Sequence, residues 1–280
     1  MEKIIVFMTV VFALAGIIAG CTCNTEQKMI GFKYTIVPVV EGSNYDYSLE
    51  TVKVLEKRLE YFGSFLSSGF ASKITCKDDT VYVRFPTALH INDSRINRVI
   101  MQKGHLAFRM VSSNNLLMDK FLRIKKQNDE INKWNAAHVN GPLKKQLRYP
   151  EGCELMTLYS KKEPHGSNSV STETLLVEKK ECLTNYDLKK VSLKHIPEWG
   201  SRLTFELTPA GSRKMAQLTG NNKGERVAVV MDGRILSAPR IQQKVSESAE
   251  IVGDLEEAEW QEIAAVLTGG ELSVRITYDK

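Results

Sequence analysis

The pair Asp232-Gly233 stands between two runs of β-type residues, Arg226 to Met231 and Arg234 to Ala238. An Asp-Gly pair in that setting supplies the positive φ angles that a two-residue type I′ hairpin loop demands. Any fold for this chain must therefore accommodate an antiparallel pair near residue 232, with Pro239 ending regular ladder pairing after the second strand. With 280 residues, 42% hydrophobic and 25% charged, the chain has enough apolar surface for one large domain or two small ones.

Upstream, Thr35 to Val40 reads as a strand, and Ser48 is placed to cap a helix whose face carries Val52, Leu55, Leu59 and Phe62 before Gly63 ends it. Phe70 to Cys76 and Thr80 to Phe85 then form a hairpin, with Val81, Val83 and Phe85 alternating inward. A second helix carries Ile96, Val99 and Ile100 from a cap at Asn92 or Asp93, Gly104 stops it, and His105 to Val111 is again a strand. The order is βαββαβ, which describes a ferredoxin-like sandwich of two helices on an antiparallel sheet.

A similar order returns near the C-terminus without any sequence repeat. Arg202 to Leu207 is a strand, Pro209 opens a helix that runs to about Leu218, and the Asp232-Gly233 hairpin follows. Glu250 to Val252, a helix from Leu255 to Leu267 and a strand from Leu272 to Tyr278 complete it. The expected class is α+β, with two ferredoxin-like subdomains joined by a long insertion of helix and hairpin. In that insertion Leu117, Phe121, Ile124, Ile131 and Trp134 follow helical spacing from Asn115 to Ala137, and Gly141-Pro142 breaks it. Such a helix either packs on its own domain or offers its face to a partner or a membrane surface.

Lys3 precedes the apolar run Ile4 to Ala19 and small residues, the order of an export signal. That run is shorter than the roughly twenty residues that span a bilayer. Its end, Ile18-Ala19-Gly20-Cys21, resembles the bacterial lipoprotein signal, which implies lipid attachment at Cys21 and a mature domain held on a membrane surface. Cys23, Cys76, Cys153 and Cys182 remain, in a compartment where disulfides can persist. Glu154 to Ser160 and Thr174 to Lys180 read as strands of a hairpin that would bring Cys153 opposite Cys182. A bridge there would contribute roughly 3 to 4 kcal/mol in the chain-entropy model, the alternative being free buried thiols.

The search for catalytic chemistry returns little. The sequence holds no HExxH, no paired CxxC, no phosphate-cradling GxxxxGK and no GxSxG. His90, His105, His138, His165 and His195 lack metal-ligand spacing, so no catalytic residue, metal or cofactor is nominated. A net charge of +5 with scattered Lys and Arg gives no basic stripe for nucleic acid. Lys103-Gly104 before His105, Ala107 and Phe108 carries one aromatic only, which suits a core strand better than an RNA-binding one.

The block Arg226-Val-Ala-Val-Val-Met-Asp-Gly-Arg-Ile-Leu-Ser-Ala-Pro239, with Leu183-Thr184, Asp187-Leu188, Leu203 to Thr219, Ile251-Val252-Gly253 and Gly269-Gly270, resembles the periplasmic head region of the SecD family, the accessory subunit of the bacterial protein-export translocon. The helix Leu49 to Gly63, the hairpin to Phe85-Pro86 and the strand Gly104 to Arg109 resemble the same family more weakly. The resemblance divides the chain into a signal peptide (1–20), a tether (21–34), a base subdomain (35–111), an insertion (112–182) and a head subdomain (183–280). It marks Asp232, Gly233, Ser237, Ala238 and Pro239 as the family's hairpin motif.

SecD proteins continue into membrane helices that work with SecF and couple the proton gradient to export, and these have no counterpart before Lys280. The resemblance therefore implies a lipid-anchored, extracytoplasmic, non-catalytic module on the periplasmic face of the inner or outer membrane. It would contact unfolded exported polypeptides or translocon subunits, SecF and SecYEG among them. The alternative is an envelope lipoprotein that uses the same scaffold structurally.

Overall fold

In the computed structural model, β1 (Met29–Pro38) runs down the middle of an antiparallel sheet because Phe32, Tyr34 and Ile36 alternate into the core. The structure describes residues 29–38, 47–66, 72–77, 79–86, 93–113, 115–137, 152–162, 169–198 and 200–279. The expected signal peptide, Cys21 and Cys23 lie outside them, and no described helix is long and apolar enough to cross a membrane.

The first sheet has the order β12-β1-β3-β2, with β2 at Lys73–Lys77, β3 at Thr80–Pro86 and β12 at Val274–Tyr278. Two helices line it. α1 (Ser48–Gly63) buries Leu55, Leu59 and Phe62, and α2 (Asp93–Met101) buries Ile96, Val99 and Ile100. Ser48 is the first helical residue rather than the cap, which falls on Tyr47 with no side-chain capping bond. A third helix, α5 (Glu257–Gly269), packs beside them with Trp260, Ile263 and Val266 buried. Its Glu262, 2% exposed, accepts from Arg95 at 2.8 Å and Arg98 at 2.6 Å, so this buried carboxylate is paired.

The α+β class holds, but the strands are shared out differently from two successive βαββαβ units. β4 (Leu106–Val111) does not close the first sheet; it is the central strand of a second, in the order β10-β9-β4-β6-β5. Leu106 and Phe108 face the main core while Val111 faces a smaller cluster with Val177, Ala228 and Val230, and a strand apolar on both faces suits the middle of a sheet. Closure beside β1 falls to β12, where Val274 and Ile276 are buried and Arg275 is exposed, a one-sided pattern that fits an edge strand over helices.

The other members of the second sheet are β5 (Cys153–Lys162), β6 (Ser169–Thr184), β9 (Val227–Met231) and β10 (Arg234–Ser237), and it curls enough to bring its edges β5 and β10 together. A third sheet, β11-β8-β7, holds β7 (Leu188–Ile196), β8 (Gly200–Leu207) and β11 (Ser248–Ile251). Against it lies α4 (Pro209–Asn221), whose Thr208 side chain caps by accepting from Gly211 N at 3.0 Å, with Pro209 in the first turn.

The hairpin of β5 and β6 forms, but in another register: Cys153 faces Glu178, and both cysteines are free. Cys182 lies four positions farther along β6, about 13 Å at the rise of a strand, well beyond disulfide reach. α3 spans Asn115–Ala137 as its spacing predicts, with Ile124 and Ile131 half-buried and Leu122 exposed. The side chains of Leu117, Phe121 and Trp134, and the break at Gly141-Pro142, lie outside the described residues.

Candidate functional site: the hairpin and the head cleft

Asp232 (φ 47°) and Gly233 (φ 81°) both occupy the left-handed region, the geometry of a type I′ loop. Among the described residues, its chain neighbours aside, nothing lies within 4 Å of a Cβ built on Gly233, so what the position requires is its backbone angle rather than space. Asp232 does more than turn the chain. Its carboxylate accepts from Gly104 N at 3.0 Å and His105 N at 2.8 Å, and its own N–H donates to His105 O at 2.9 Å. The hairpin is thereby docked on the crossover from α2 to β4.

Behind that crossover sits Arg58 of α1, fully buried. It donates to the carbonyls of Val99 (3.0 Å), Gln102 (2.6 Å), Lys103 (2.9 Å) and Gly270 (2.6 Å). Burial lowers its pKa to about 10, against the opposing pull of Asp232 and Glu271. Gly104 (φ 86°) is forced by this packing, since a Cβ there would lie 2.8 Å from Arg58 Nη2 and 2.9 Å from Val266 Cγ1.

After the turn, β10 pairs with β9 through a bulge between Ile235 and Ser237. The regular ladder ends at Ser237, but pairing does not stop at Pro239. The Pro239 carbonyl accepts from Val227 N at 3.0 Å, and a bridge resumes at Arg226 and Arg240. Proline lacks only the donor, so its acceptor still serves the sheet. Arg226 Nε donates to Ala238 O, and its two Nη groups grip Glu173 on β6 at 2.6 and 3.0 Å.

The motif leads into a loop over an open apolar cleft of about 620 Å³ between α4, β8, β9 and residues 239–251. Phe205, Met215, Leu218, Val229, Ile241 and Val245 line it, with Ser237 and Pro239 at its wall. Ser237 is buried, and its hydroxyl has no hydrogen-bond partner among the described residues. A cleft of this kind can take apolar side chains, while an unpaired hydroxyl offers one polar contact to whatever enters.

The motif residues Asp232, Gly233, Ser237, Ala238 and Pro239 thus sit together, Ser237 and Pro239 on the cleft and Ala238 against the small cluster inside the curled sheet. Cys153 and Cys182 are elsewhere. Among the described residues no three His, Cys, Asp or Glu side chains gather as metal ligands. Arg58, Gly104 and His105 were missed as a set. One signal was available: Arg58 falls on the apolar stripe of Leu55, Leu59 and Phe62, where a charge needs partners.

The family model for the SecDF P1 head subdomain matches residues 157–274. The protein translocase subunit SecD of Treponema pallidum is 26% identical over 227 residues, 80% of this chain and 36% of that protein. SecD of Aquifex aeolicus is 33% identical over 100 residues, 36% of this chain and 20% of that one. This chain therefore spans about a third or less of the length of these relatives. Among solved structures, SecDF in a super-membrane-facing form gives a TM-score of 0.53 at 23% identity, covering 91% of this chain and 30% of that one. A second SecDF structure, of a membrane component that enhances protein export, gives 0.51 at 20% identity, covering 90% of this chain and 98% of that one. At these identities the structural likeness concerns the fold.

Proposed function

The chain carries a SecDF P1 head subdomain over residues 157–274, and from that premise we propose that it assists protein export as a non-catalytic module that holds extended segments of exported polypeptide in the head cleft. The observation that carries this reading is the cleft itself, an apolar groove whose wall is built from the motif residues Ser237 and Pro239. An extended chain could seat one or two aliphatic side chains among Met215, Leu218 and Val229, and offer a backbone group to Ser237. The module acts outside the cytoplasm, tethered by lipid at Cys21, with translocon subunits such as SecF and SecYEG as neighbours. Its lipoprotein-like leader and its relationship to SecD support that location.

A photo-crosslinking residue at Gln243, on the cleft rim, tests this in living cells. Exported polypeptides captured in their unfolded form support the reading, and a matched probe at Arg234 on the hairpin reports translocon neighbours. Capture of mature folded envelope proteins alone, or of nothing, would overturn it in favour of a scaffold.

A further inference from the structure

His105 immediately precedes β4 at the crossover from α2, and both of its ring nitrogens face carboxylates from other parts of the chain. Nε2 lies 2.8 Å from Glu181 of β6, in the second sheet, and Nδ1 lies 3.1 Å from Glu271, on the connection from α5 to β12. A neutral imidazole carries one N–H, so it can donate to only one of these groups while its lone pair opposes the other. The imidazolium donates to both. We propose that His105 is a pH-operated clasp that, when protonated, ties β6 to the α5–β12 connection and releases one of the two ties when it loses its proton.

The surroundings decide whether the clasp matters. Lys103 pairs with Glu271 at 3.1 Å, Asp232 holds the His105 backbone from the hairpin, and Arg58 of α1 lies behind. Tyr186, on the turn after β6, and Glu50 of α1 also lie near Glu271. Four carboxylates, Glu50, Glu181, Glu271 and Asp232, against two fixed cations, Lys103 and Arg58, leave the cluster short of positive charge without the imidazolium. Burial acts to lower the His105 pKa, yet the bonds to Glu181 and Glu271 outweigh it and raise it above 6.5. A raised value in the folded state places the added stability below pH 6.5 and removes it as pH rises through the folded pKa.

Two crossovers meet here. Leu272 N donates to Lys103 O at 2.8 Å, beside the two N–H bonds to Asp232. Loosening the clasp therefore frees the joint between the first and second sheets locally, leaving both cores intact. This holds whatever occupies the cleft.

Amide hydrogen exchange on the whole chain between about pH 5 and 8 reads it, alongside the NMR titration of His105. After correction for intrinsic exchange, the amides of Gly104, His105 and Leu272 should open severalfold more at the high end, while those of β3 stay level. The His105 midpoint should lie above 6.5. H105Q should flatten the dependence, and E181Q, at an exposed carboxylate, should lower the midpoint even if H105Q folds poorly. A midpoint at or below 6.5, one unmoved in E181Q, or an H105Q protein that keeps the full dependence would overturn the clasp.

Discussion

The carboxylate of Asp232 and the N–H of Gly104 meet at 3.0 Å across 128 positions of sequence, binding the tip of the hairpin to the loop that leaves α2. A family hairpin that looks like a surface turn is thus a structural bolt. The turn angles orient the carboxylate, and the carboxylate satisfies two backbone donors, those of Gly104 and His105, that would otherwise be open.

Removing that acceptor should be felt in stability. D232A is expected to lose about 1 to 3 kcal/mol, toward the lower end because the turn is exposed. D232N keeps an acceptor and tolerates positive φ, so it should recover part of the loss. Urea denaturation of both proteins compares them, and equal stability of D232A and the parent would show that the bolt carries no load.

Two glycines with nearly the same backbone angle should respond differently to alanine. Gly233→Ala meets open space and should cost about 1 to 2 kcal/mol from its φ alone. Gly104→Ala drives a methyl against Arg58 and Val266 as well, raising the expected cost to about 2 to 5 kcal/mol. Thermal melts of the pair order them; the reverse order would mean that Arg58 moves aside freely.

The hairpin was legible because Asp-Gly chemistry is local, α1, α2 and α3 were legible from their apolar stripes, and α4 from Pro209 at its start. Strand partners were not. Val274 and Ile276 alternate as they would in any half-buried strand, and nothing in residues 274–278 names β1 as the neighbour. β4 was misplaced for the same reason: its apolar residues on both faces describe a central strand, not which sheet it centres. β7 went unread because Lys189, Lys190 and Lys194 dilute a strand in which Val191 alone is buried. The cysteine pairing failed on register, since the hairpin loop does not fix which residues of two long strands face each other.

Acid should weaken the grip of β6 on β9. The hydrogen bonds from Arg226 hold the Glu173 carboxyl below its ordinary 4.5. A carboxyl depressed in the folded state contributes stability above pH 4.5 that is lost as pH falls through the folded value. E173Q should therefore melt lower than the parent at neutral pH and converge with it in acid. Parallel melting curves across that range would remove Glu173 from the acid response.

The register of β5 and β6 makes a clear statement about thiols. Cys153 and Cys182 should both react with iodoacetamide in unreduced protein under mild denaturation, and a reductant should leave the melting temperature unchanged. A linked Cys153–Cys182 peptide in a non-reducing digest would require the hairpin to slide by four residues.

Ser237 separates stability from binding. Its buried hydroxyl lacks a partner among the described residues, so Ser237→Ala removes an uncompensated polar group and should leave the fold unchanged or more stable by about 1 kcal/mol. If the hydroxyl serves an extended polypeptide in the cleft, the same variant should bind an unfolded apolar peptide about fivefold more weakly, the equivalent of one neutral hydrogen bond. Met215→Asp places a charge on the cleft wall and should abolish that binding while costing stability as well. Peptide affinity by fluorescence anisotropy, measured beside the melts, distinguishes the cases. A more stable Ser237→Ala protein with unchanged affinity would leave Ser237 outside the binding site and confine recognition to the apolar wall, whereas a variant that is more stable yet binds more weakly would show the hydroxyl acting on the ligand, since a group whose loss relieves the fold but weakens the complex is used only in the complex.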